Sequence, residues 1–452
     1  MFQIKVKSFI SIIVSKIVIK LSKFLFKGGT NFPGRIALKV DRNILKVVGS
    51  DYKIILVTGT NGKTTTTGMI YSMLKDSNKF VITNNTGANM LPGIVSCFIE
   101  NYRFKKSKED RYAVIEVDEA NVTLVTEHIT PEIITVTNLF RDQLDRYGEV
   151  YTTLNKIIAG IEKVPSTTLV LNGDESLLGD LSTNNKTIYY GFNCSIDENK
   201  KIDINADAKF CKKCKAPYEY DFIIYNHIGR FYCSNCGYKR PELDHSVNNI
   251  LELSTTGSLV QINDGEYYIN QPGVYNIYNG LCAYSIAKAL NIEDSVISNS
   301  LKSQKSSFGR QETISIEDKN VKIILVKNPA GFDQAVNTIT LDKSDIDIAL
   351  LLNDNYADGR DVSWIWDVNL EKLNELSIKS ILVGGSRVYD MAVRLKVSGL
   401  DYNKFIVNEN YEGLLKGIIA CDTNTVYILA TYTAMINFRK FLHSKGYIDN
   451  LW

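Results

Sequence analysis

The feature that most constrains this chain is the run Thr58-Gly59-Thr60-Asn61-Gly62-Lys63-Thr64-Thr65. The apolar Ile54-Ile55-Leu56-Val57 precedes it and a helical pattern to about Leu74 follows. A strand feeding a glycine-bearing loop that opens a helix turns backbone N–H groups and the positive end of the helix dipole toward an anion. Thr60, Asn61, Gly62, Lys63, Thr64 and Thr65 are therefore the candidate nucleotide-binding residues. Lys63 would reach the β- and γ-phosphates and the Thr64 hydroxyl would bind Mg²⁺. Val57 stands where the common G-x4-G-K-[ST] loop has its first glycine, so this loop is a shortened form.

Such a loop belongs to a sheet. Apolar runs recur at Val81-Ile82, Ala113-Val114-Ile115, Ile133-Ile134-Thr135-Val136 and Thr168-Leu169-Val170-Leu171, with helical stretches between them. This alternation predicts an α/β fold with a mostly parallel sheet. A hairpin is expected over 257–270, turning at Asn263-Asp264-Gly265. A second alternating region starts near Val321, with runs at Ile323–Val326, Ile348–Leu351, Ile381–Val383 and Val426–Leu429, and predicts a smaller Rossmann-like C-terminal domain. The 452 residues are divided here as 1–45, an amphipathic helix and linker; 46–312, a central ATP-binding domain; and 313–452, a C-terminal α/β domain. The 52 basic and 50 acidic residues nearly cancel, so no overall field favours nucleic acid as a partner.

The cysteines carry a second signal. Cys211, Cys214, Cys233 and Cys236 form C-x2-C-x18-C-x2-C inside a Lys-, Tyr- and Cys-rich insertion at about 205–242. Four thiolates suit tetrahedral Zn²⁺ and leave no open position, so the expected zinc ribbon is structural. A ribbon that binds nucleic acid is the rival reading. Cys97 and Cys282 lie in apolar contexts without a nucleophile elbow, and His128, His227, His245 and His443 lie in no recognisable base motif.

Residues 4–27 are apolar but interrupted by lysines, which excludes a spanning helix and argues against a signal peptide. Lys16, Lys20, Lys23 and Lys27 share one helical face; Ile13, Ile17, Leu21, Phe24 and Leu25 lie on another. The helix either docks on its own domain or contacts a membrane surface or partner. The segment Asn353 to Asp367, NDNYADGRDVSWIWD, follows a buried-looking strand, where open α/β sheets bind ligands. A capped turn with buried tryptophans is the plainer reading.

Several of these stretches resemble the Mur ligase family, which includes folylpolyglutamate synthetases. GTNGKTTT is similar to its ATP loop and Asn85-Thr86-Gly87-Ala88-Asn89 to its second glycine loop. Glu116 in VIEVDEA falls at its Mg²⁺-binding glutamate. Thr137 to Asp145 resembles TN-x3-DHLD, and Leu171-Asn172-Gly173-Asp174-Glu175 resembles LNADD. Asn276 to Asn279 resembles HN-x-x-N, and Arg310 in FGRQE matches its nucleotide-contacting arginine. Gln143 stands where the family has a histidine ligand, Lys156 is the nearest residue to a lysine that many members carbamoylate, and Lys327-Asn328-Pro329 replaces a DYAHNP-like segment. These departures mark a variant. With the ribbon and the acidic loop, the chain is similar to an amidating branch of the family, the ligase subunits of lipid II isoglutaminyl synthases.

The resemblance implies a Mur ligase-like P-loop central domain carrying the ribbon. It implies ATP and Mg²⁺, with Thr64 and Glu116 at the metal, Lys63 and Glu116 in catalysis, and Asn172, Asp174 and Arg310 near the nucleotide. It implies a carbon–nitrogen ligase of peptidoglycan synthesis with glutamine as amido donor. That enzyme converts the α-carboxylate of D-glutamate in the lipid II stem peptide to D-isoglutamine through an acyl phosphate. Ammonia would come from a class I glutamine amidotransferase subunit (GatD-like) in a heterodimer. Asp361 is favoured as the acid completing that partner's Cys–His pair, with Asp358 and Asp354 behind it. The expected location is the cytoplasm, at the inner face of the bacterial plasma membrane. An amino-acid-adding ligase and an ATP-switched zinc-ribbon binding protein remain the alternatives.

Overall fold

The structure, a computed structural model, describes residues 5–26, 31–84, 88–105, 109–141, 150–197, 206–304 and 310–449. The side chains of Lys23, Leu25, Phe26 and Arg310 lie outside this description.

The strand at Lys53–Thr58 is buried on both faces: Ile54 and Leu56 pack into one core, Ile55 and Val57 into another. That is the pattern of a central strand in a sheet covered by helices. Nine strands form this sheet, in the order Gly265–Ile269, Ser258–Ile262, His245–Leu253, Thr187–Phe192, Thr168–Asn172, Ile133–Val136, Lys53–Thr58, Arg111–Glu116 and Phe80–Thr83. The pairings from His245–Leu253 to Phe80–Thr83 are parallel. The expected hairpin closes the far edge, antiparallel, through the two-residue turn Asn263-Asp264.

The second sheet has six strands, in the order Arg310–Ile316, Lys319–Leu325, Thr425–Ala430, Ile346–Leu351, Ile378–Gly384 and Phe405–Val407. The expected boundary at 312/313 falls within its first strand, which pairs with Lys319–Leu325. The linker expected before residue 46 is largely helical: Asn31–Val40 and Ile44–Val48 place Ala37, Ile44, Leu45 and Val48 in the core of the larger sheet.

The first helix, Val6–Phe26, docks through small residues. Ser8, Ser11, Ile12, Ser15 and Ile19 are buried, and the Ser11 hydroxyl donates to Ala37 O at 3.0 Å. Lys16 Nζ donates to Tyr102 O. Ile13, Ile17, Leu21 and Phe24 are exposed. The helix thus rests on its own domain through serines, Ile12 and Ile19, with a second apolar stripe outward.

The insertion is a separate two-stranded sheet, Glu219–Tyr225 against Ile228–Tyr232, around Tyr218, Phe231 and Tyr238. Tyr238 donates to Ser176 O at 2.8 Å, which ties it to the segment after the strand Thr168–Asn172.

Candidate functional site

The loop after Lys53–Thr58 is clasped by the segment after the neighbouring strand. Thr60 N donates to Asn138 O and Asn61 N to Asn138 Oδ1, each at 2.9 Å; the Thr137 hydroxyl donates to Asn61 O at 2.6 Å. Gly62 sits at φ +85°, and a Cβ there would come within 2.1 Å of Asn279 Oδ1, so both backbone conformation and space demand glycine. Asn279 accepts from the Thr66 hydroxyl and donates to Asn276, which joins the HN-x-x-N-like stretch to the loop's helix, Lys63–Asp76. Thr65 is buried beside it.

Thr64 and Glu116, 52 residues apart, meet: the Thr64 hydroxyl donates to Glu116 Oε2 at 2.7 Å. Asn89 donates to the other carboxylate oxygen at 3.0 Å, and Asn84 brackets the backbone of Glu116. Hydroxyl and carboxylate oxygens are hard donors that fit Mg²⁺. Lys63 folds over its own loop toward the carbonyls of Gly59 and Thr60 and pairs with Glu119 at 2.9 Å. Burial pushes the Glu119 carboxyl up while Lys63 opposes the rise. Sequence reasoning missed Glu119; its signal was its place three residues after Glu116 in VIEVDEA.

The other expected residues differ. Asn172 is fully buried and caps its own turn by accepting from Asp174 N. Asp174 is also fully buried, paired with Arg240 at 3.0 Å and accepting from Tyr278 and Phe192 N. Burial pushes its carboxyl up and Arg240 opposes that shift. Oδ1 takes Arg240 of the insertion, while Oδ2 takes Phe192 N of the sheet and Tyr278 of the helix Val274–Ala289, so both carboxylate oxygens are engaged within the protein. Arg310 opens its strand beside Ile324. Lys156 is exposed on the helix Val150–Ile161. Gln143, Asn85-Thr86-Gly87 and the rest of the 142–149 segment lie outside the described residues.

A cleft lies between the two sheets. Asn61, Gly62, Thr65 and Asn279 line it from the nucleotide domain, Lys327, Gly331 and Gln334 from the C-terminal domain, and Tyr225 of the ribbon hairpin and Tyr275 also border it. Asn328 reaches across to Asn61, and Arg141 pairs with Asp367 at 3.5 Å. In the sequence, Asn328 stands out only as part of a departure from the family pattern.

The four cysteine Sγ atoms lie within 4.8 Å of one another, with Cys211–Cys236 at 3.6 Å and Cys214–Cys233 at 3.5 Å. This all-thiolate, closed set fits a tetrahedral structural Zn²⁺. Burial pushes the other thiols up as well: Cys97 and Cys421 to about 12, Cys282 to about 11, and Cys194 above its ordinary value.

The acidic loop separates its carboxylates. Asp358 is buried and accepts from Thr433 N at 2.7 Å, from the Thr433 hydroxyl, and from Asn355 N. Asp354 accepts from the Ser386 hydroxyl and faces Arg387 at 3.8 Å. Asp361 is exposed; the Ser363 hydroxyl and N–H hold its carboxyl below the usual range. Of the tryptophans, Trp366 is half exposed and lies under Arg394.

A parallel-sheet nucleotide domain whose loop, metal-type donors and second α/β domain enclose one cleft defines a ligase of the Mur type. Residues 57–238 match the Mur ligase middle domain and 325–435 match the family described as MurT ligase C-terminal. The chain is 40% identical over 417 residues, 92% of this chain and 93% of the relative, to lipid II isoglutaminyl synthase (glutamine-hydrolyzing) subunit MurT of Streptococcus pneumoniae. It is 35% identical to the Staphylococcus aureus protein of the same name, over 89% and 91% of the two chains. This chain belongs to the MurT family. Among solved structures, a pseudomurein peptide ligase type C from Methanothermus fervidus is similar in fold, with TM-score 0.66, 20% identity and 87% and 79% of the chains covered. So is a folylpolyglutamate synthase from Thermotoga maritima, with TM-score 0.58, 14% identity and 90% and 93% covered.

Proposed function

We propose that this chain is the ligase subunit of a lipid II isoglutaminyl synthase. It uses ATP to replace the α-carboxylate of D-glutamate in the stem peptide by a carboxamide, giving D-isoglutamine. The observation that carries this reading is the separation of two carboxylates. Glu116 is buried against Thr64 at the nucleotide loop, where phosphoryl transfer needs a metal ligand. Asp361 is exposed on the other domain, at a strand-end loop where a second chain can use it.

A carboxylate is a poor electrophile. In the first step a carboxylate oxygen attacks the γ-phosphorus, the bond to the β-phosphate bridge breaks, and ADP leaves. Ammonia then attacks the acyl carbon, phosphate departs with the C–O electron pair, and the nitrogen loses a proton. Lys63 and the loop N–H groups hold the phosphates, and Asn61 and Thr65 line the pocket beside them. Mg²⁺ bound by Thr64 and Glu116 would neutralise charge on the transferring phosphoryl group. Zn²⁺ on Cys211, Cys214, Cys233 and Cys236 would hold the ribbon, whose Tyr225 borders the cleft.

Ammonia comes from a class I, GatD-like glutaminase partner; the thiols Cys97 and Cys282 of this chain lie in apolar contexts without a nucleophile elbow. Asp361 would orient the partner's histidine and stabilise its imidazolium. A lipid-carried substrate places the reaction at the inner face of the plasma membrane.

The test is co-expression with a glutaminase subunit, followed by mass analysis of lipid II after incubation with ATP and glutamine. Exchange of one hydroxyl for an amino group, with one ADP per product, is expected. Gain of a whole amino-acid residue, or product without ADP, overturns the reading.

A further inference from the structure

The first helix buries Ile12 and Ile19 but leaves most of its large apolar residues outside. Its serines face the domain, whereas Val6, Ile10, Ile13, Ile17, Leu21 and Phe24 are exposed, Phe24 at 85%. Their spacing of three or four residues makes one continuous stripe along the outer face. Phe104, itself half exposed, extends the stripe sideways by packing on Phe9 with ring centroids 5.5 Å apart. Exposed apolar surface of this extent marks a docking face.

Charge identifies what docks there. The first forty residues of the sequence hold eight basic and no acidic residues. The whole chain is +2, so residues 41–452 carry −6. Lys7 and Lys20 are exposed on the helix that carries the stripe, and Lys5 is exposed just before it. No described helix is long and apolar enough to cross a membrane. An outward apolar stripe on a lysine-rich, acid-free helix is suited to lying in the plane of a bilayer with anionic headgroups.

We propose that this helix seats the protein on an anionic phospholipid surface, the stripe entering the headgroup–acyl boundary and the lysines pairing with lipid phosphates. This deepens the lipid II reading by naming the face that meets the bilayer, and it is tested without reference to turnover.

The full chain, with its glutaminase partner, is floated with phosphatidylcholine vesicles and with vesicles that also contain phosphatidylglycerol. Binding to the anionic vesicles is expected, falling at least about tenfold in Ile13→Ser/Ile17→Ser and weakening with salt and in Lys7→Glu/Lys20→Glu. The serine substitutions lie on an exposed face, so melting temperature and amidation of a water-soluble stem-peptide substrate stay at the parent values, while KM for vesicle-borne substrate rises. Failure of amidation with intact vesicle binding sinks the functional reading and leaves this one standing. Absence of vesicle binding by the parent protein, binding indifferent to the serine pair, or a stripe-dependent dimer that excludes vesicles overturns the membrane assignment.

Discussion

Asn61 of the nucleotide loop and Asn328 of the C-terminal domain, 267 residues apart, exchange two side-chain hydrogen bonds of 3.1 and 3.4 Å. Asn328 also caps the helix Pro329–Ile339 by accepting from Gly331 N at 2.8 Å. One side chain therefore fixes a helix start and couples it to the phosphate loop. The expectation is that occupancy of the loop by ATP is sensitive to this pair.

The two roles separate by substitution. Asn328→Asp keeps the cap but sets an anion beside the phosphates; KM for ATP should rise about tenfold while the melting temperature moves by no more than about 2 °C. Asn328→Ala loses the cap as well and should cost about 1 kcal/mol in denaturant unfolding. Unchanged ATP kinetics in the aspartate variant would break the link.

Glu116→Gln removes the negative charge of a carboxylate whose two oxygens the Thr64 hydroxyl and Asn89 hold in place. Amidation should fall on the order of 100-fold, and the Mg²⁺ concentration for half-maximal rate should rise. A magnesium titration of both proteins with free ammonia as donor checks this without involving the glutaminase.

Asp361→Asn and Asp358→Asn should fail differently. The first variant should lose glutamine-driven amidation yet keep ammonia-driven amidation and its melting temperature. The second alters a buried carboxylate that holds Thr433 and Asn355, and should destabilise by about 1–3 kcal/mol with either nitrogen source. Glutamine-driven turnover surviving in Asp361→Asn would remove it from the shared triad.

Arg240 neutralises Asp174, whose carboxylate has no exposure. Arg240→Leu leaves a buried charge without a counter-ion and should cost about 3 kcal/mol or more. Chelation of the cysteine cluster should lower the melting temperature and release one zinc per chain, measured by elemental mass spectrometry.

His227 and Glu175 form a buried pair at 2.8 Å between the ribbon hairpin and the sheet. Burial pulls the imidazole down, but the Glu175 charge and hydrogen bond outweigh it, so its pKa ends above the ordinary value. A raised folded value means that the stabilisation is full below the unfolded pKa of about 6.5 and fades as pH rises through the folded one. The melting temperature should therefore drop more steeply above about pH 6.5 in the parent than in His227→Gln. Parallel curves would remove the pair from the pH response.

Contiguous chemistry was legible in the sequence. The loop from Thr58 to Thr65, the C-x2-C pairs and the apolar runs each need neighbours in the chain, and local geometry makes them what they are. The strands Thr187–Phe192 and His245–Leu253 were not legible, because aromatic, glycine and asparagine residues interrupt their pattern and neighbouring strands supply their burial. Glu119 was hidden for the same kind of reason: a carboxylate beside two others declares no partner until Lys63 folds onto it.

Sequence by itself determined that a phosphate-binding loop, a four-thiolate cluster and two α/β units exist, since spacing along the backbone suffices for each. Tertiary structure alone decided that Asp174 holds Arg240, that Asp358 is buried while Asp361 is exposed, and that the first helix turns its serines inward. Those outcomes depend on which surfaces meet after folding, and the desolvation of a charge or an apolar face is set by the partner it finds there.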